Sequence, residues 1–295
     1  MKSKFENSAK VTGIVKSSEF DGTTGSGLGK IKINGDDSTL YVQMWEKTDK
    51  NGEPLGIVKR FLAGVHEDEK YTIRGELNER LWEGEYKREI ENRMISAKKK
   101  KVYNVFEADE EEKEVANVKL GGDIIESDLT FTREVRGETV EEEKAKYTAT
   151  LAVFNQYNPE LGKEDENMSR HDILALELKN KVEYGDVDNQ KYKKWIQELE
   201  SGCDMGRLYD ILLAYDGDIK NMSKISLFHL VAYGDKAEDL AKEADKGVNV
   251  LVGCDINTRM IINEYDIVEG SLNELEIMFH RVNERVYKEE VNNSW

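Results

Sequence analysis

The residues predict a mainly β fold with added helices (α+β): two consecutive small barrels, the second decorated by a helical insertion, followed by a C-terminal helix. Three observations carry that expectation. Short runs alternating apolar and polar residues recur through the first 105 positions and return between 226 and 256, and a period of two is the mark of half-buried strands. Apolar stripes at helical spacing are confined to stretches such as 192–199, 208–215 and 240–244. Finally, the 295 residues are 38% apolar and 35% charged, a composition that supports two modest cores better than one large one.

Charge divides the chain more sharply than hydropathy does. The 43 basic and 60 acidic residues give a net charge of −17, but residues 1–105 hold 20 basic against 17 acidic. Residues 106–295 hold 23 against 43. The change is abrupt, because Lys98, Lys99, Lys100 and Lys101 stand just before the run from Glu107 to Glu114. That run has too few apolar residues to pack and is expected to be a solvated acidic linker over 106–114. It would separate a first domain at 1–105 from a second at 115–270, with the helix and tail at 271–295. Such asymmetry suits a protein in which one part meets a polyanion while another repels it or meets a basic partner. No apolar run approaches the length of a membrane helix. The start, MKSKFENSAKV, lacks the continuous apolar stretch of a secretion signal. Two cysteines, Cys203 and Cys254, cannot build a disulfide framework and fit a reducing cytoplasm.

In the first domain, residues 10–16 alternate with Val11, Gly13 and Val15 on one side. The glycine-rich loop from Asp21 to Gly29 lacks the order of a phosphate-cradling loop and reads as a hairpin connection. Strands follow at 30–33 and 40–45, then a helix-compatible stretch at 56–65. Two more strands, 71–77 and 86–97, flank a turn at 82–85. Five short strands with one helix before the fourth is the element order of an OB-fold.

Alternation assigns the faces. Leu40, Val42 and Met44 point inward and Tyr41, Gln43 and Trp45 outward. Ile31, Ile33, Tyr71, Ile73 and Leu77 belong to the core, and Lys30, Lys32 and Arg74 to the surface. Two aromatic rings on a cationic floor suit single-stranded nucleic acid. Bases stack on the rings for ~1–3 kcal/mol each, while Lys and Arg follow the phosphates.

The stretch from Tyr71 to Gly84, YTIRGELNERLWEG, resembles the fourth strand and hairpin of bacterial and phage single-stranded DNA-binding proteins, which carry V-x-G-x-L-x-x-R-x-W-E there. Gly75, Leu77, Arg80, Trp82 and Glu83 fall in register with it. In that family the hairpin tryptophan stacks on a base, which the resemblance carries to Trp82, and an aromatic near the end of the third strand does the same, which matches Trp45. Arg80 and the strand residues Tyr86, Lys87 and Arg88 complete the expected nucleic-acid surface. The family's amino-terminal strand motif and its acidic aromatic tip have no clear counterpart here.

A second copy is partly visible. Residues 226–256 read strand, helix, strand, with Asp235 as a helix cap, Leu240, Ala241 and Ala244 as the apolar stripe and Gly247 at the end. This stretch is similar to the same family's third strand, helix and fourth strand, and Tyr233 stands at the aromatic position. Segments 128–134, 147–154 and 172–179 are the candidate early strands. The insertion carries two stripes, Tyr192, Trp195, Ile196 and Leu199, then Leu208, Ile211, Leu212 and Tyr215. Lys191, Lys193 and Lys194 form its most basic stretch and read as an exposed face beside buried Tyr192 and Trp195. At the C-terminus, Ser271 to Glu274 has the form of a capping box, and Leu272, Leu275, Phe279, Val282 and Val286 follow at heptad spacing. This seam would pack on its own barrel or make a homodimer.

The four histidines are scattered and neither cysteine lies in a CxxC, which argues against zinc. No nucleophile elbow or Walker loop is present, so neither enzyme activity nor a cofactor is expected. The sequence therefore points to a cytoplasmic, non-enzymatic coat for single-stranded DNA, of bacterial or phage origin. The resemblance implies a role in replication, recombination or repair, alongside replication or recombination proteins. The alternative is an acidic interaction module or DNA mimic built on OB barrels.

Overall fold

The computed structural model describes residues 5–22, 28–35, 38–46, 48–49, 51, 53–82, 85–91, 94–97, 100–103, 105–136, 139–155, 157–158, 163–164, 168–183, 189–216, 224–262 and 268–286. Side chains at 38, 78–103, 132–143, 157–164, 189, 216 and 258–273 lie outside that description. The architecture is mainly β with helices, in two compact units: Asn7–Lys119 with Gly253–Glu276, and Met1–Glu6 with Leu120–Val252 and Ile277–Trp295.

The first unit contains β1 (Glu6–Asp21), β2 (Leu28–Gly35), β3 (Ser38–Trp45), α1 (Ile57–Leu62), β4 (Lys70–Trp82) and β5 (Glu85–Glu91). Short strands β6 (Met94–Ala97), β7 (Lys100–Tyr103) and β8 (Val105–Glu107) follow. The hydrogen-bonded order is β1-β2-β3-β5-β4, and β4 pairs again with β1, so the sheet closes. The pair β3–β5 is parallel; the other four ladders of the ring are antiparallel. Followed once around, the ladders return to β1 displaced by about ten residues, a stagger that tilts the strands steeply and lets few of them enclose a filled core. Val11, Val15, Ile31, Ile33, Leu40, Val42, Met44, Ile73 and Leu77 fill it, all fully buried. This is the inward set that alternation predicts.

The acidic run at 106–114, expected as a solvated linker, is tied along this sheet. Phe106 and Glu107 of β8 pair antiparallel with Thr72 and Tyr71 of β4. The Lys70 ammonium donates to the carbonyls of Glu110 and Glu112. Glu112 Oε1 lies 3.3 Å from Lys10 Nζ and accepts from the Thr72 hydroxyl.

The second unit contains β9 (Val115–Arg136), β10 (Thr139–Phe154), the two-residue strands β11 (Tyr157–Asn158) and β12 (Lys163–Glu164), α2 (Arg170–Glu183), α3 (Asn189–Glu200) and α4 (Met205–Asp216). Then come β13 (Ile225–Tyr233), α5 (Asp235–Glu243), β14 (Val248–Ile262) and β15 (Val268–Arg285), of which Gly253–Glu276 is grouped with the first unit. Its order is β9-β10-β13-β15-β14, with β9 paired to both β14 and β10. Counted in chain order, both sheets close as first-second-third-fifth-fourth, with a helix between third and fourth. The cap of α5 is Gly234, at φ 62°, and Asp235 sits in the first turn, one residue later than its capping role requires.

The helices α2–α4 bury both predicted stripes, Tyr192 to Leu199 and Leu208 to Tyr215, against Ile125, Ala152, Phe154 and Leu227. Residues 172–179, expected as a strand, lie in α2. Ser169 and Asp172 cap one another reciprocally at its start, the Ser169 backbone and hydroxyl donating to the carboxylate and the Asp172 N–H to the hydroxyl. Leu174 and Leu178, four apart, then reach the core. A buried ionic knot pins the insertion: Asp123 of β9 accepts from the Arg170 guanidinium of α2 at Nε and, at 2.9 Å, Nη2. It also accepts from Asn249 of β14 at 2.7 Å. Burial penalises the Arg170 cation, but the hydrogen bonds and charge of Asp123 outweigh that and hold its pKa above the ordinary arginine value.

The expected C-terminal helix at 271–295 is corrected to a strand, β15. Leu275, Ile277 and Phe279 also alternate at period two, so the segment carries both patterns. The open place between β13 and β14 decides between them. Leu275 and Ile277 enter the core, whereas Phe279 is 53% exposed and Val282 is exposed as well. The heptad seam therefore does not exist as a helix face, and the dimer expected from it loses its basis. Residues 287–295 lie outside the described residues.

One close approach recurs in both sheets. A Cβ on Gly13 of β1 would sit 1.8 Å from the Asn34 carbonyl oxygen of β2, and one on Gly122 of β9 would sit 2.4 Å from that of Ala152 in β10. The first strand crosses its neighbour there at backbone contact, and only glycine fits. Gly13→Ala and Gly122→Ala are each expected to cost ~1–3 kcal/mol by overpacking, read as a lower midpoint in urea and thermal unfolding.

Candidate nucleic-acid interface

The alternation of β3 places two rings in solvent. Tyr41 is 46% and Trp45 42% exposed, while Leu40, Val42 and Met44 beneath them are fully buried. Gln43, expected to face out with them, is only 8% exposed; it shares their side of the strand but is covered.

Cross-strand register supplies the charge. Lys32 of β2 lies directly opposite Tyr41, and Lys30 opposite Gln43, between the two rings; facing side chains in such pairs stand ~5 Å apart at Cβ. Lys30 is exposed and Lys32 half-buried. The floor is not uniformly cationic, because exposed Glu19 of β1 faces Lys30. On β5, Glu89 pairs with Tyr41 and Glu91 with Gln43.

Arg74 is exposed on β4 opposite Lys10. The ladders Gln43–Glu91–Glu76 set it level with Trp45 but two strands away, roughly 10 Å. It flanks the Tyr41–Lys32 pair without joining it. For Arg80, Trp82, Tyr86, Lys87 and Arg88 only the backbone is described: they lie along the β4–β5 ladder, with Arg80 opposite Lys87, Leu81 opposite Tyr86, Trp82 opposite Glu85 and Glu79 opposite Arg88. Their side chains are outside the described residues.

Helix α1 props this face. Val58 and Leu62 are buried over Gly29, whose absent Cβ would otherwise meet Val58 Cγ1 at 2.4 Å. The N-terminus of α1 has no capping side chain of its own, since its cap is Gly56 at φ 66°. Glu46, the residue after Trp45, fills that role: Oε1 accepts from the Ile57 N–H at 3.0 Å and Oε2 from the Val58 N–H at 2.8 Å. Sequence reasoning passed over Glu46. The available signal is a helix preceded by Pro54-Leu55-Gly56 with no Ser, Thr, Asp or Asn at its start.

In the second unit Tyr233 ends the third strand of its sheet, as Trp45 does in the first. Lys146 lies opposite it, with Nζ 5.8 Å from the ring centroid. On α3, Lys191, Lys193 and Lys194 are exposed and Tyr192 and Trp195 buried, with Lys191 Nζ 4.6 Å from the centre of the Trp195 ring. Among the described residues, no group of three or more His, Cys, Asp or Glu lies together to hold a metal ion.

No family model matches the chain, and no curated protein matches it by sequence. Among solved structures, it is similar to the wild-type single-stranded DNA-binding protein of Thermus aquaticus, with a TM-score of 0.52 at 11% identity over 98% of each chain. A deletion mutant of that protein matches with a TM-score of 0.52 at 10% identity, over 97% of this chain and 98% of that one. Across nearly its whole length, the chain therefore shares its fold with a single-stranded DNA-binding protein.

Proposed function

We propose that this chain is a tandem OB-fold protein that binds single-stranded DNA without base preference and without catalysis, the first unit supplying most of the affinity. One observation carries the reading: Tyr41 and Trp45 stand open on the third strand of a closed five-stranded sheet, with Lys30 and Lys32 beside them on the second. The OB assignment draws support from the strand order, the helix between third and fourth strands, and the parallel pairing of third with fifth. The shared fold with a protein that binds single-stranded DNA points the same way.

The mechanism follows from the surface chemistry. Every base has a π face, so a ring platform accepts any sequence. Each lysine that meets a phosphate releases condensed counterions, and binding then weakens with salt by about 0.7 in log–log slope per contact on a single strand. The stretch from residue 106 to 295, with 43 acidic residues against 23 basic, repels phosphates within a Debye length of ~10 Å. It favours protein partners instead, which in this reading are replication or recombination proteins. The protein would serve replication, recombination or repair in a bacterial or phage-infected cytoplasm.

Intrinsic tryptophan fluorescence, titrated with oligothymidine and with duplex of equal length, tests the proposal. Saturable quenching by the single strand, weakened by salt and reduced in Trp45→Ala by the equivalent of ~1–3 kcal/mol, is expected. Quenching by neither nucleic acid at low salt would overturn it and favour the acidic interaction module. Lys30→Gln and Lys32→Gln should each lower the salt slope by up to about 0.7, measured from affinities at four or more salt concentrations. Because Tyr41 and Trp45 lie outside the core, on the solvent side of β3, Tyr41→Ala and Trp45→Ala should shift unfolding stability by less than ~1 kcal/mol, which thermal melts check.

A further inference from the structure

We infer that Glu46 is a positioning residue for the Trp45 platform, an inference that rests on the single-strand reading above. Glu46 is only 5% exposed, and a buried carboxylate persists where donors compensate its lost hydration. Here the donors are the first two N–H groups of α1, at 3.0 and 2.8 Å. The helix cannot supply an acceptor itself, since its cap is glycine and its first turn holds no acidic residue.

The carboxylate thus ties the end of β3 to a helix that is fixed by other contacts. Val58 and Leu62 lock α1 over Gly29, the cross-strand partner of Met44, and the adjacent Leu28 is the partner of Trp45. Trp45 is therefore held from both neighbouring directions: through β2 at Leu28, and through Glu46 to α1. The intervening residues form their own turn, closed by a Thr48–Pro54 bridge and by Asp49 accepting from the Asn51 and Glu53 N–H groups at 2.7 and 3.0 Å. Among the described residues, the pair of bonds at Glu46 ties the strand end directly to the helix.

A ring on a fixed strand end loses little freedom when a base stacks on it, whereas a loose strand end must be ordered at the moment of binding. Glu46 makes this contribution without touching the nucleic acid. Its effect on affinity must therefore vanish when the ring is gone.

A double-mutant cycle on the full chain tests this, using the affinity for a fluorescently labelled oligothymidine, read by anisotropy, and the thermal midpoint. Glu46→Ala should weaken binding at least about twofold with Trp45 present and not at all in the Trp45→Ala background. The thermal midpoint should fall equally in both. Glu46→Gln, whose amide oxygen accepts one of the two N–H groups, should give an intermediate affinity; it replaces Glu46→Ala in the cycle if the alanine variant does not fold. Equal weakening with and without Trp45, or a lower midpoint with unchanged affinity, would overturn the positioning role and leave the stacking proposal standing. A Trp45→Ala variant that binds as tightly as wild type would overturn both.

Discussion

The structure depends on how a first strand serves two neighbours. β1 pairs with β2 along its later half and with β4 along its earlier half. It can do so only because its backbone passes the end of β2 at a distance no side chain tolerates, at Gly13. That crossing lets the ladders run from β1 through β2, β3, β5 and β4 back to β1, which closes the sheet. Closure fixes the stagger, and the stagger sets which outward residues are neighbours. Lys32 meets Tyr41 because β2 and β3 are held in one register, and Arg74 stays two strands away for the same reason. The geometry of the proposed binding face is thus a consequence of a packing constraint where β1 passes the end of β2.

Much of this was legible in the sequence because period two is local. The alternation of 40–45 and 30–33 needs only neighbouring residues, and its inward and outward sets are recovered, save Gln43. The same holds for the stripes of α3 and α4, whose buried positions are the predicted ones. What failed was decided by distant partners. Residues 272–286 carry a heptad spacing and an alternation together, and local pattern cannot choose between them. The vacancy between β13 and β14 chooses. Residues 172–179 misled in the opposite way, since a strand reading ignored the reciprocal cap that Ser169 and Asp172 form just ahead of the helix core.

The least legible features are polar ones that act across the chain. Asp123 and Arg170 are 47 positions apart and Asp123 and Asn249 are 126 apart, so no window of sequence contains the knot that fastens the insertion. Breaking it from one side would strand a buried charge, which typically costs ~3–5 kcal/mol. In a stretch of chain so rich in acids, an aspartate that must be buried stays indistinguishable from its solvated neighbours until the fold is known. Glu46 belongs to the same class. It looks like one more surface acid after an exposed tryptophan, yet it is buried and caps a helix eleven residues on.

In the proposed function, charge and stacking would divide the labour in a way that accounts for the composition. Were affinity to rest on phosphate contacts alone, a net charge of −17 would be hard to reconcile with binding a polyanion. A ring platform changes the balance, because stacking is scarcely opposed by distant acidic charge, whereas that charge is screened over a Debye length. A few lysines beside two rings are then enough to orient the backbone, and the acidic remainder of the chain can carry other contacts. On this view the covered Gln43, the half-buried Lys32 and the clamped end of β3 all serve one requirement. The rings must be presented already in place, since an acidic protein has little electrostatic attraction with which to offset the entropy of ordering them.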